Sequence, residues 1–160
     1  MLEPLFTETL QVSIVVPDLD QAVRTYADEY GVGPWDIYEF NPDTVRDMRA
    51  SGQPVAWRWR LALATVGGVQ WELVQPLDDE SIYARFLAEH GAGVHHAGVG
   101  VRDYGAATAE LAARGHEVLL TGEYNRVRFS YHATGDNLGI VTELFDAPPG
   151  VEQTPDSTYP

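Results

Sequence analysis

"GVHHAGVGVRD" (residues 93–103) places two adjacent histidines near the head of a run of small and β-branched residues. A regular strand alternates its side chains between two faces, so His95 and His96 should point to opposite sides. The chain then passes through Asp103 into "YGAATAELAARG" (104–115), where Ala and Leu recur at helical spacing up to Gly115. The unit is a strand, an Asp-containing turn and a helix. The same unit starts at Gln11 in "QVSIVVPDLDQAVRTYADEYGVG" (11–33), with Asp18 in the turn and Leu19, Ala22, Val23 and Tyr26 at helical spacing before Gly31. The two copies align without a gap over the strand, Gln11 with His96 and Asp18 with Asp103.

The repetition continues downstream. Three strand-like segments follow the first helix, "WDIYEF" (35–40), "VAWRWRLALATV" (55–66) and "VQWELVQP" (69–76). Three more follow the second, "HEVLLTGEY" (116–124), "VRFSYHATG" (127–135) and "GIVTELFDA" (139–147). The chain therefore reads as an α+β fold of two tandem βαβββ modules, residues 9–76 and 94–147, joined by a helix within 77–93. The expected architecture is a cupped mixed sheet with the module helices on its outer face. The loop 41–54 and the Pro-rich, polar tail 148–160 are expected to lie outside the core, the tail extended or disordered.

Strand alternation then selects a site. In the first strand Val12, Ile14 and Val16 can pack under the helix, which leaves Gln11, Ser13 and Val15 on the opposite face. In the second module Ala97, Val99 and Val101 take the helix side. His96 falls on the open side with Gly98 and Gly100, and His95 is expected to point toward the helix layer or the strand end. Glu72 in "VQWEL" and Glu143 in "IVTEL" occupy equivalent positions in the last strands, each flanked by residues of the opposite face. A carboxylate buried alone in mid-strand is costly, so each needs a partner. If the first and last strands of the two modules curl together, Gln11, Glu72, His96 and Glu143 meet as a mixed oxygen and nitrogen ligand set for a divalent transition metal.

Composition narrows the chemistry. The 160 residues carry a formal net charge of −14 and no cysteine. Disulfides, thiolate nucleophiles and sulfur-ligated zinc are excluded. So acidic a chain repels nucleic acid and anionic membrane, both of which are bound mainly through Lys and Arg. Apolar stretches are broken by charge within a few residues, and Met1 to Leu10 has no basic cluster or long apolar run, so the expected location is cytoplasmic. In "AWRWRLALA" (56–64), Arg58 and Arg60 share one face and Trp57 and Trp59 the other. The arginines form either a solvated face or a clamp on an anionic group of the substrate. Arg128 and His132 pose the same choice in the second module.

The paired modules, with "QVSIVVPDLDQAVRTY", "VQWELVQP", "GVHHAGVGVRD" and "GIVTELFD", resemble the vicinal oxygen chelate superfamily of glyoxalase I, methylmalonyl-CoA epimerase, extradiol dioxygenases and bleomycin-resistance proteins. The resemblance covers residues 9–147 and is strongest to the epimerase and glyoxalase branch. It implies that Gln11, Glu72, His96 and Glu143 bind Zn, Ni, Co or Mn, and that the chain forms a homodimer. It also implies that a small-molecule substrate with vicinal oxygens loses a proton next to a carbonyl through an enediolate or enolate. Glu143 is then the first choice of base, and Glu72 a ligand or reciprocal acid. Glutamine at position 11 departs from the usual epimerase pattern and matches some glyoxalase I enzymes. With one histidine in the set, the extradiol dioxygenase reading recedes. The competing class is a metal-free protein that sequesters a drug or metabolite.

Overall fold

The two turn aspartates open the two module helices. Asp18 accepts a hydrogen bond from the Gln21 amide at 2.9 Å, and Asp103 accepts one from the Ala106 amide at 2.7 Å, so each satisfies a donor at the start of a helix. The structure, a computed structural model, describes residues 3–160. Its first half runs β1 (Glu8–Val15), α1 (Leu19–Arg24), a π-helical turn over Thr25–Glu29, β2 (Trp35–Phe40), β3 (Val45–Ala50), β4 (Gln53–Pro54), β5 (Trp59–Val66) and β6 (Val69–Pro76). Then follow α2 (Ile82–His90), β7 (Gly93–Gly100), α3 (Tyr104–Ala113), β8 (Val118–Tyr124), β9 (Val127–His132), α4 (Gly135–Leu138), β10 (Val141–Asp146) and β11 (Ser157–Tyr159).

All eleven strands form one sheet in the order β11-β2-β5-β6-β1-β7-β10-β9-β8-β3-β4. In each half the first strand lies parallel to the last, β1 to β6 and β7 to β10, and the rest are antiparallel. The halves join where β1 runs antiparallel to β7. The sheet is curled, because residues from its distant parts meet in one core. Tyr38, Trp59 and Leu61 pack with Leu120, Phe129 and Tyr131, and Phe40 stacks on Tyr124 with ring centroids 4.2 Å apart. On the outer face α1 buries Leu19 and Val23 against Trp35, Ala62, Ala64 and Leu73, while α3 buries Ala107 and Leu111 against Val99 and Leu144. The connecting helix α2 instead sends Tyr83, Ile82, Phe86 and Leu87 into the concave core. No described helix is long and apolar enough to cross a membrane.

Two segments expected outside the core belong to the sheet. Within 41–54, β3 crosses from the first half to pair with β8 of the second, Val45 opposite Tyr124, and buries Val45 and Met48 in the core. Short, charged and interrupted by a register shift, β3 shows little alternation that local sequence could reveal. The tail ends in β11, which adds to β2 with Thr158 opposite Asp36. The strand expected from residue 55 begins at Trp59, because Val55–Arg58 approach the sheet as a loop in which the Arg58 amide donates to Asp78 at 2.7 Å.

Candidate metal centre and cavity

The four central strands β6, β1, β7 and β10 carry the four selected side chains on the concave face. Gln11, Glu72, His96 and Glu143 are all buried. The His96 Nε2 lies 3.2 Å from Glu72 Oε2 and 3.0 Å from Glu143 Oε2. The Gln11 amide nitrogen donates to Gln70 Oε1 at 2.9 Å, an orientation that leaves the Gln11 carbonyl oxygen free. Both predicted carboxylates therefore meet the predicted histidine.

The paired histidines are explained by a β-bulge. Across β1 and β7, Ser13 opposes His96 and Ile14 opposes Val94, so His95 has no partner of its own. The extra residue breaks strict alternation and re-aims its side chain. His95 does not turn to the layer of α1 and α3. Its ring packs beside Tyr83 and Phe86 of α2, and its Nδ1 lies 2.9 Å from the Nδ1 of His96. A second irregularity lies between Thr9 and Gln11 on β1, and there the neighbours Leu10 and Gln11 both reach the cavity described below.

Burial alone would depress the His96 imidazole, but the facing Glu143 and Glu72 carboxylates overcome it and hold the pKa up to about 9. Burial pushes Glu143 above the usual carboxylate range, against the opposing pull of His96 and a hydrogen bond from Tyr131. His95 is driven down to about 3, first by burial and then by the charge of His96, so it is neutral. A neutral His95 can accept the proton that His96 carries on Nδ1. For Nε2 to coordinate, His96 would have to lose its Nε2 proton, and the contact with His95 would keep the remaining proton on Nδ1, the tautomer a ligand needs.

The donor set fits a divalent cation. Among the described residues, Gln11 Oε1 is buried without a hydrogen-bond partner, while Glu72 Oε2, His96 Nε2 and Glu143 Oε2 are buried and satisfied only by one another. A buried polar cluster with no other partners is uncommon in folded proteins. Two oxygens from carboxylates, one amide oxygen and one imidazole nitrogen suit a borderline metal such as those named above. Among the described residues no three His, Asp or Glu side chains form a ready-made metal-binding group, and the His96 Nε2 is instead in contact with both carboxylates.

The four residues expected to bind substrate do not reach this face. Arg60 pairs with Asp20 of α1 through both guanidinium nitrogens, at 2.9 and 3.2 Å, and Arg58 reaches Glu39 at 3.4 Å, both on the outer side. Arg128 pairs with Asp146 and lies over the ring of Tyr104. His132 is fully buried on the outer side of β9, with its Nε2 2.9 Å from Ser130 Oγ. The alternation was read correctly, but the tryptophan face of β5 is the concave one.

Burial and then His116 hold His132 down at about 4, below the ordinary value of 6.5. The unfolded chain therefore binds this proton more readily than the folded one, and the associated stability is lost as pH falls from about 6.5 towards 4. His132→Gln keeps a polar atom for Ser130 and cannot titrate. Its urea midpoint should fall less than that of the wild type over that interval. A parallel loss in both proteins would remove His132 from the acid response.

Three further residues surround the centre that the sequence does not single out as functional. Ser13, buried with an unpartnered hydroxyl, stands opposite Glu72 on one side and His96 on the other. Tyr131 sets its ring 4.8 Å from that of His96 and accepts a hydrogen bond from Tyr83 at 2.8 Å. Gln70, two positions before Glu72 and on the same face, orients Gln11. Ser13 and Gln70 share a strand face with the chosen ligands, so alternation could have found them. Gly98 is required by close approach: a Cβ there would lie 2.7 Å from Phe145 Cε2 and 2.9 Å from Gln11 Cβ. Gly98→Ala should cost about 1–3 kcal/mol and displace Gln11, to be read as a lower urea midpoint together with weaker metal binding.

From Gln11 and Glu72 a cavity of about 310 Å³ opens between the two halves of the sheet. Leu10, Tyr38, Phe40, Leu61, Leu63, Tyr124, Val127, Phe129 and Phe145 make it apolar and aromatic, and no cationic side chain is among the described residues that line it. Its amide and carboxylate groups are Gln11, Gln70, Glu72 and, from the tail, Gln153.

Comparison with known proteins agrees with this geometry. The family profile of the Glyoxalase/Bleomycin resistance protein/Dioxygenase superfamily matches residues 10–131. A search of curated proteins found no match. Among solved structures, methylmalonyl-CoA epimerase from Mycobacterium tuberculosis superposes with a TM-score of 0.68 at 26% identity, covering 93% of each chain. A Streptomyces coelicolor methylmalonyl-CoA epimerase variant in complex with 2-nitronate-propionyl-CoA gives 0.67 at 25% identity, covering 93% of this chain and 99% of that one. A hypothetical protein from Bacillus halodurans shares the fold, with a TM-score of 0.69 at 17% identity over 91% of this chain and 98% of its own. With the profile matching well over half of the chain and the same fold in these neighbours, the chain belongs to the Glyoxalase/Bleomycin resistance protein/Dioxygenase superfamily.

Proposed function

We propose that this chain is a divalent-metal-dependent enzyme that moves a proton at the carbon next to a carbonyl, as an epimerase, an isomerase or a glyoxalase-like lyase. The observation that carries the proposal is that Gln11, Glu72, His96 and Glu143 are buried on one face from symmetric positions of the repeat, with the His96 Nε2 within 3.2 Å of both carboxylates. These residues would hold the ion, which when bound supplies positive charge to stabilise negative charge developing on the substrate's neighbouring oxygens.

Glu143 takes the proton. Burial raises its pKa, which makes the carboxylate a stronger base than one in water. Glu72, on the other side of His96, can return the proton. Return to the opposite face of the same carbon is epimerisation, and return to the neighbouring carbon is isomerisation. The aromatic walls keep water from the exchanging proton. The epimerase neighbours at about 25% identity support this class of reaction.

A sequestering protein is the second reading, and the apolar cavity with Phe40 stacked on Tyr124 favours it. Against it, two carboxylates turned inward beside a histidine have no use in holding an apolar ligand. The deciding experiment loads metal-free protein with Zn, Ni, Co and Mn and follows deuterium uptake from solvent at the α-carbon of methylmalonyl-CoA and of the hemithioacetal of methylglyoxal and glutathione. Metal-dependent exchange on either supports the enzyme. Near-stoichiometric metal without exchange calls for other vicinal-oxygen substrates, and absence of metal under every loading condition favours the sequestering protein.

A further inference from the structure

The last fourteen residues run across the opening between the two ends of the curled sheet. They leave β10 at Ala147, which lines the cavity, and turn at Gly150, whose φ is 75°. The Asn125 side-chain amide, from the β8–β9 turn, then donates to the Glu152 carbonyl and to Gln153 Oε1, both at 3.1 Å. On the far side the Asp156 amide donates to the Ile37 carbonyl at 2.9 Å and its carboxylate accepts from the Glu39 amide at 2.8 Å. From there β11 adds to β2, and the Tyr159 hydroxyl donates to the Asp28 carboxylate. The tail is thus tied to β8–β9 of one half and to β2 of the other, the two walls that carry Tyr124 and Tyr38.

Beyond Ala147, one side chain of this segment, a polar one, lines the cavity. Gln153 lines the cavity and is partly buried, whereas its neighbours Glu152 and Thr154 are exposed. The other amide and carboxylate groups of the lining, Gln11, Gln70 and Glu72, come from β1 and β6. Hydrogen-bonding groups therefore enter a largely apolar space from two places: the metal centre, and the strap held by Asn125.

From this arrangement we infer that residues 147–160 form a strap closing the substrate cavity, and that Gln153 is a specificity-determining residue contacting the end of the substrate remote from its vicinal oxygens. The inference rests on the proposed function for the identity of the cavity as a substrate site. It selects a compact, mainly apolar carbonyl compound with one hydrogen-bonding group at the far end. A ligand with a long charged arm would have to displace the strap.

Binding of the fluorescent probe 1-anilinonaphthalene-8-sulfonate to the full-length, metal-free protein tests the strap separately from metal or turnover. Gln153→Trp should weaken binding at least tenfold by filling the cavity, and Thr154→Trp on the exposed side should change it less than twofold. Gln153→Ala should act in the opposite sense and strengthen binding. Asn125→Gly should reproduce that gain, because glycine tolerates the φ of 42° at this position while releasing both hydrogen bonds to the strap. Opposite signs at one position cannot arise from general destabilisation. If Gln153→Trp behaves as Thr154→Trp does, or if neither Gln153→Ala nor Asn125→Gly raises binding above that of the wild type, the strap is not a cavity wall. Failure to load metal would leave these results unchanged and would count only against the proposed function.

Discussion

His96→Ala is expected to abolish binding of divalent metal, and His95→Ala to weaken it by about 10–100-fold, as found for residues that orient a ligand without touching the ion. His96 brings its Nε2 within 3.2 Å of both carboxylates, so its removal leaves Glu72 and Glu143 facing each other without a counter-charge. His95 packs beside Tyr83 and Phe86 and reaches the centre through the Nδ1 of His96. Losing it frees that ring and leaves a buried N–H without an acceptor, at a cost of about 1–3 kcal/mol. Metal content by mass spectrometry, with zinc affinity by calorimetry, distinguishes the two variants. A protein that loses all metal with His95→Ala and none with His96→Ala would place the ligand on the other histidine. Equal and complete loss would show that the pair acts as one site.

The second large effect concerns Glu143. Glu143→Gln preserves shape and hydrogen bonding in a closely packed position, but an amide cannot take the proton. Turnover should fall by about 10²–10⁴-fold, the range associated with losing a positioned base. Glu72→Gln should also impair the reaction, with the larger share of its effect on metal retention. Near-UV circular dichroism checks that the aromatic core around Tyr83 and Tyr131 is intact, and deuterium uptake at the substrate α-carbon reads the chemistry. Undiminished exchange in Glu143→Gln with bound metal would transfer the base to Glu72 or to another group.

Each residue of the proposed centre comes from an alternating strand in a repeated module, and that is why it was legible. Val12, Ile14 and Val16 needed a helix to cover them, which forced Gln11 to the other face. The same parity placed Glu72, His96 and Glu143. The arginines follow the same rule, but alternation separates two faces without saying which one closes into a cavity, so it left the solvated face and the substrate clamp equally open. Each cation on these strands found an acidic partner outside, Arg60 with Asp20 and Arg128 with Asp146. All ten cationic side chains are arginine against twenty-four Asp and Glu, so acidic partners are plentiful.

The modular repeat, the turn aspartates that cap α1 and α3, and the shared face of four polar side chains are local properties. They follow from periodicity over a few residues and can be read along one segment at a time. The bulge that brings His95 against His96, the crossing of β3 to β8 and the strap over the cavity depend on pairings between distant segments. Asn125 meets Gln153 across 28 positions, and Glu39 meets Asp156 across 117. Such contacts are settled by the curl of the sheet and by which backbone groups remain unpaired once it has closed, so they appear only when the chain is folded.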